Sequence, residues 1–207
     1  MAPQLYLITP ATADLHTASA TVAAVLNAAT FSALLVQRGS LDDAAYAKLA
    51  TELVAMGQAA GCAVLVENDT ALAKKIGADG VHVTEGPVAL KAAIAAIKPS
   101  MIVGAGNLAT RHDAMTVGEM NVDYVFFGPL AGASDTNAAD LAEWWATTFE
   151  IPAVLSDPAA SPTTDTRGAE FLALSTSIWS AADPVAATAA IVDALGEIGR
   201  ASCRERV

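Results

Sequence analysis

The chain has 207 residues, 54% hydrophobic and 16% charged, with 22 Asp and Glu against 11 Lys and Arg for a net charge of −11. That length supports one domain with a full core, and a mean hydropathy of +0.43 excludes a disordered chain. An acidic body without a basic cluster argues against charge-driven binding to nucleic acid or anionic membranes, and Cys62 and Cys203 offer neither a disulfide framework nor metal-ligand spacing.

The N-terminus MAPQLYLITP lacks the basic region of a secretory signal, so a cytoplasmic protein is expected. Its LYLI reads as a first short strand. Residues 17–37 carry no charge and have about the length of a membrane span, but Ser19, Thr21, Asn27, Thr30 and Ser32 interrupt them. Val22, Val25, Leu26 and Ala29 recur at helical spacing before ALLV, so this stretch reads as a helix running into a strand. Ser40 stands three residues before Asp43 as a capping signal for a helix with the apolar face Tyr46, Leu49, Leu53 and Met56. Further strand-like runs follow at Ala63–Glu67, Gly80–Val83, Met101–Gly104, Tyr124–Phe127, Ala153–Leu155 and Phe171–Leu174. Pro87 opens a helix with the face Leu90, Ile94 and Ile97, and Pro99 ends it. Thr110 and Asp113 form a capping-box start, and Asp183-Pro184 is a cap followed by a first-turn proline.

Residues 197–207, EIGRASCRERV, depart from the alanine-rich acidic body by holding three arginines. Back-translated, they resemble a widely used short-read sequencing adapter. The expectation is a single domain over 1–196 followed by an artefactual tail, with a genuine basic tail as the alternative.

Eight βα units in about 200 residues match the lower size limit of a (β/α)8 TIM barrel. The strand runs are continuously apolar, as parallel strands buried on both faces should be. A doubly wound sheet is the alternative, although the first strand leads into TPATAD rather than a Gly-rich turn.

In a barrel the chemistry belongs where the strands end. Those ends supply Gln37 and Arg38; Glu67, Asn68 and Asp69; His82 and Glu85; Asn107; Gly128; and Ser175 and Thr176. A carboxylate at Asp69 suits a hard cation such as Mg2+, and equally suits a cap on a helix starting near Thr70. His82 between two valines is an acid/base candidate or a hydrogen-bonded core histidine. Ser175–Ser177 can cradle phosphate with backbone N–H groups or cap the next turn.

LYLIT, VLVENDTALAKKIGADGVHV, VGAGNLATRHDAM, VDYVFFGPL, IPAVLSD and GAEFLALSTSIW, in this order, resemble thiamine-phosphate synthase and its TenI-type relatives over Leu5 to Leu195. The resemblance implies a TIM barrel and Mg2+-assisted coupling of a pyrimidine diphosphate with a thiazole phosphate. Taken with the strand-end positions, it gives Arg38 and Asn68 as catalytic, Asp69 and Glu85 as Mg2+ ligands, Glu85 being displaced from the family's second carboxylate, and Gln37, His82, Asn107, Gly128, Ser175 and Thr176 as contacts to the phosphorylated ligand. Several positions depart from the family pattern. Gly39 or Ser40 replaces the lysine of an Arg-x-Lys pair, Thr70 stands for an arginine, and Gly106 for a serine. GASDTN lacks the loop lysine, and Ser156-Asp157-Pro158 replaces a Gly-Gly phosphate turn, with the seventh helix shortened to PAASPTTDTR. Reduced or lost synthase activity is therefore expected. A TenI-like binder or isomerase and a non-catalytic paralogue are the alternatives, and a homodimer through an apolar helix face stays open.

Overall fold

The computed structural model describes residues 2–11 and 15–204. Eight strands follow one another around a closed parallel barrel: β1 (Gln4–Ile8), β2 (Ala33–Val36), β3 (Ala63–Glu67), β4 (Gly80–Val83), β5 (Ile102–Ala105), β6 (Tyr124–Phe127), β7 (Ala153–Ser156) and β8 (Phe171–Leu174). The pairing of β1 with β8, from Gln4 against Phe171 to Leu7 against Leu174, closes the ring and removes the open-sheet alternative. The helices are α1 (Leu15–Ala28), α2 (Asp43–Ala59), α3 (Thr70–Ile76), α4 (Pro87–Ile97), α5 (Arg111–Gly118), α6 (Thr136–Thr148), α7 (Thr176–Trp179) and α8 (Pro184–Arg204). The uncharged stretch is the α1–β2 unit, and among the described residues no helix is long and apolar enough to cross a membrane. The expected tail overlaps the last turns of α8, and residues 205–207 lie outside the described residues.

The strands read as continuous apolar runs because each feeds two cores. Tyr6, Ile8, Leu35, Leu65, Tyr124, Phe126, Val154 and Ala173 fill the barrel interior. Their alternate neighbours, such as Leu7, Leu34, Val64, Val66, Val81 and Val125, pack outward against the helices. This is the period-two alternation of a strand with both faces buried. In the outer layer Trp145 is buried, stacks on Phe149 at 4.1 Å and donates its indole N–H to the Ile151 carbonyl, while Trp144 is partly exposed.

A repeated device fixes the N-terminal end of the barrel. Asp79, Asp123 and Glu170 immediately precede the even strands β4, β6 and β8. Each carboxylate accepts the first free N–H of the odd strand beside it: Val64, Val103 and Ala153, all at 2.7 Å.

Helix starts follow local chemistry. Thr110 and Asp113 form a full capping box on α5, Gly86 precedes the first-turn Pro87 of α4, and Asp183 accepts from Ala186 N. For α2 the cap is Asp42, which accepts from Ala45 N, rather than Ser40. Asp42 is adjacent to the first helical residue, where a carboxylate reaches the orphan N–H groups, and Ser40 is two residues too early. The shortened seventh crossover folds as successive turns, with Ala160 N bonded to the Asp157 carbonyl and Thr164 N to the Ser161 carbonyl. At the seam, α7 follows β8 and the Trp179 indole donates to the Ile8 carbonyl at 2.6 Å.

Candidate active site at the barrel mouth

The inward alternation of β3, continued past Leu65, brings Glu67 to the C-terminal mouth. There Glu67, His82, Thr84, Asn107, Phe126, Gly128, Pro129 and Leu130 enclose a cavity of about 250 Å³. A groove bounded by Asn107, Leu108, Ala109 and Asp135 adjoins it and shares Gly128 and Pro129 with it. Of the residues expected from sequence, His82, Asn107 and Gly128 meet in this cavity.

Asn68 and Asn107 both take left-handed backbone conformations, with φ of 54° and 59°, which asparagine tolerates better than most residues. Both then grip Thr84. The Asn68 amide accepts from Thr84 N and donates to Thr84 Oγ1, each at 2.8 Å, and Asn107 Nδ2 donates to the Thr84 carbonyl at 3.2 Å. The Asn68 side chain is thus committed at both its oxygen and its nitrogen to shaping the loop after β4.

Arg38 lies on the outer rim. Its backbone N–H donates to Glu67 Oε2 at 2.9 Å, while its guanidinium pairs with Asp43 and lies 5.5 Å over the Tyr46 ring. The Tyr46 hydroxyl donates to the Val36 carbonyl and accepts from Glu67 N, tying the ends of β2 and β3 together. Gln37 donates its backbone N–H to Thr9 Oγ1. Thr176 Oγ1 accepts from Gly132 N, and Ser175 starts α7.

Asp69 caps α3 through Oδ1, which accepts from Leu72 N at 2.8 Å, and Glu85 is exposed. Among the described residues no three His, Cys, Asp or Glu side chains gather as a metal-binding group. Mg2+ is commonly held by one or two carboxylates together with substrate phosphates and water. The second oxygen of Asp69 fits that shared arrangement and does not fit a cage built from protein alone.

Five buried side-chain polar atoms lack a partner among the described residues, and four belong to the C-terminal half of the barrel: Gln37 Oε1 just after β2, His82 Nε2 within β4, Ser175 Oγ just after β8 and Ser177 Oγ in α7. Buried polar atoms in folded proteins are ordinarily paired, and of these four residues His82 lines the mouth cavity. Electrostatically the mouth is poor in positive charge. The segments that leave the strands contain Arg38 and Arg167 as their basic residues, and Arg167 is tied to Glu143 and Asp165. Asp157, after β7, is satisfied internally by the Ser134 hydroxyl, Ala159 N and the Thr164 hydroxyl.

Among the polar residues of the cavity, the strand-end reading names Glu67 without a role and does not name Thr84. The signal for Glu67 is the alternation Ala63, Leu65, Glu67, which places a carboxylate on the inner face at the strand's end.

Comparison with known proteins identifies the family and the fold. The family model described as thiamine monophosphate synthase matches residues 5–178. A thiamine-phosphate synthase of Hyphomonas neptunium is 34% identical over 208 aligned residues, covering 94% of each chain. The Rhodospirillum centenum thiamine-phosphate synthase is 31% identical, covering 92% of this chain and 95% of its own. Among solved structures, a thiamine phosphate pyrophosphorylase from Pyrococcus furiosus superposes with a TM-score of 0.79 at 17% identity, over 94% of this chain and 96% of that one. At that identity the superposition speaks for the fold alone.

Proposed function

The chain belongs to the thiamine monophosphate synthase family, and from that premise we propose that its mouth binds a phosphorylated thiazole or pyrimidine of thiamine biosynthesis, with synthase turnover reduced or lost. The observation that carries the reading is the mouth cavity lined by Glu67, His82, Thr84 and Asn107, where His82 Nε2 has no partner and a small polar ligand would supply one. The reduced turnover follows from charge. Coupling a diphosphate to a thiazole nitrogen needs cationic groups on the departing pyrophosphate, because charge develops there in the transition state. Here Arg38 is paired with Asp43, and Asp157 places a carboxylate among the loops. Each missing charged hydrogen bond is worth about 1.5–3 kcal/mol, or roughly one to two orders of magnitude in rate.

When Mg2+ is bound with the ligand, Asp69 and the exposed Glu85 are the residues that would hold it, and it would neutralise phosphate charge. The chain's own contribution is positional. Thr84, held by two asparagines, and Glu67, held by Tyr46 and Arg38, form walls against which a ring can be oriented.

Incubating purified protein with pyrimidine diphosphate, thiazole phosphate and Mg2+ tests the catalytic part. Slow or absent product formation is expected, and turnover at an ordinary enzyme rate overturns it. Thermal unfolding with thiazole phosphate or thiamine phosphate tests the binding part, because a ligand of the native state raises Tm. No shift with either, together with no turnover, overturns it. Asp69→Asn keeps a good helix cap, so Tm should hold while any Mg2+ dependence disappears. Unchanged Mg2+ dependence removes Asp69 from the metal site.

A further inference from the structure

A line of hydroxyl groups runs through the barrel interior into the mouth. Tyr6 on β1 and Tyr124 on β6 both point inward and are 1% and 7% exposed. Their hydroxyl oxygens are 3.0 Å apart, and Tyr124 Oη lies 2.9 Å from His82 Nδ1. The imidazole is nearly parallel to the Tyr124 ring, at 7°, and packs edge-on against Phe126 with centroids 4.8 Å apart. At the other side of the ring, Nε2 is buried without a partner, and His82 lines the mouth cavity.

Two glycines on or just after β5 make this arrangement possible. A Cβ on Gly104 would fall 1.9 Å from the Tyr124 ring, so only glycine admits that tyrosine. A Cβ on Gly106 would stand 2.5 Å from His82 Nε2, so glycine keeps the space beside this nitrogen clear of a side chain.

Burial alone lowers the His82 pKa to about 3, so the ring is neutral at ordinary pH and carries one N–H. Which nitrogen carries it is set by what the other nitrogen meets. A phenol O–H is a stronger donor than an imidazole N–H, and an imidazole nitrogen is a better acceptor than a phenol oxygen. The favoured sequence runs from Tyr6 O–H to Tyr124 Oη and from Tyr124 O–H to Nδ1, which leaves the hydrogen on Nε2.

We infer that Tyr6 and Tyr124 are positioning residues that fix His82 as the Nε2–H tautomer, presenting a neutral donor to an acceptor atom of the ligand in the mouth. A neutral donor at a cavity lined by Phe126, Leu130 and the Glu67 carboxylate suits an uncharged ring nitrogen better than a phosphate oxygen, whose charge would be stranded there. The class of ligand group it selects is a nitrogen heterocycle such as an aminopyrimidine. This choice of ligand rests on the function proposed above, whereas the tautomer rests on the hydrogen-bond geometry.

Nitrogen NMR of the protein labelled at histidine, with His82→Gln identifying the resonance, reads the tautomer without any ligand. The expected result is hydrogen on Nε2 and none on Nδ1. Tyr124→Phe should mix the tautomers and weaken binding of an aminopyrimidine about tenfold, the loss of one hydrogen bond. Tyr6→Phe keeps the Tyr124 donor, and the tautomer should persist. Hydrogen found on Nδ1 in the unsubstituted protein, or Tyr124→Phe without effect on the tautomer, overturns the inference. The expected tautomer with no aminopyrimidine binding overturns the choice of ligand while the tautomer assignment stands, and the functional reading is overturned separately by the turnover and thermal-shift outcomes above.

Discussion

The two ends of the barrel treat polar groups in opposite ways. At the N-terminal end Asp79, Asp123 and Glu170 each accept a strand N–H, Asp123 also pairs with Lys98, and Ser32 donates to Gln4. At the C-terminal end Gln37, His82, Ser175 and Ser177 keep buried polar atoms unpaired. The same strands supply both ends, so the difference is one of position. The closed end contributes stability and the open end is where the proposed ligand would bind, in keeping with the division of labour in TIM barrels.

Acid should break this contrast most strongly. His82 is neutral in the fold down to about pH 3, whereas in the unfolded chain it titrates near about 6.5. Between those values the unfolded state binds a proton that the folded state does not, so stability rises with pH across the window and levels off above it. The expected contribution is about 1.4 kcal/mol per pH unit, visible as the difference in pH slope between the parent protein and His82→Gln in urea unfolding. Equal slopes would show that His82 takes up its proton without unfolding.

Removing a closed-end carboxylate comes next. Asp123→Ala strands Val103 N and the Lys98 ammonium, so a loss of about 1–3 kcal/mol is expected in denaturant unfolding. An unchanged midpoint would put the stability of that end elsewhere. Ser175→Ala is the opposite experiment at the mouth and has the smallest effect. It deletes a buried hydroxyl that has no partner, so Tm should stay level or rise by an amount worth up to about 1 kcal/mol. A clear fall in Tm would show that Ser175 supports the fold and would blur the contrast between the ends.

Much of the fold was legible because its signals are local. Apolar runs at βα spacing, Pro87 and Pro184 at helix starts and the Thr110–Asp113 box depend on residues close in the chain, and the structure places elements where they point. Asp69 shows where legibility ends. Its cap on α3 follows from the adjacent residues, while its use toward a cation depends on a ligand's phosphate. Asn68 was readable as a strand-end amide, but its commitment to Thr84, sixteen residues away, was not.

By itself, then, the sequence determined a parallel strand-and-helix alternation, the outward and inward apolar faces, and the strand ends from which a site must be drawn. The reason is that period and capping act over a few residues. Only the tertiary structure decided which polar atoms are consumed and which are left for a ligand. Tyr6 and Tyr124 are 118 residues apart and meet because the barrel is closed and Gly104 leaves room, and that contact determines what His82 offers to the mouth.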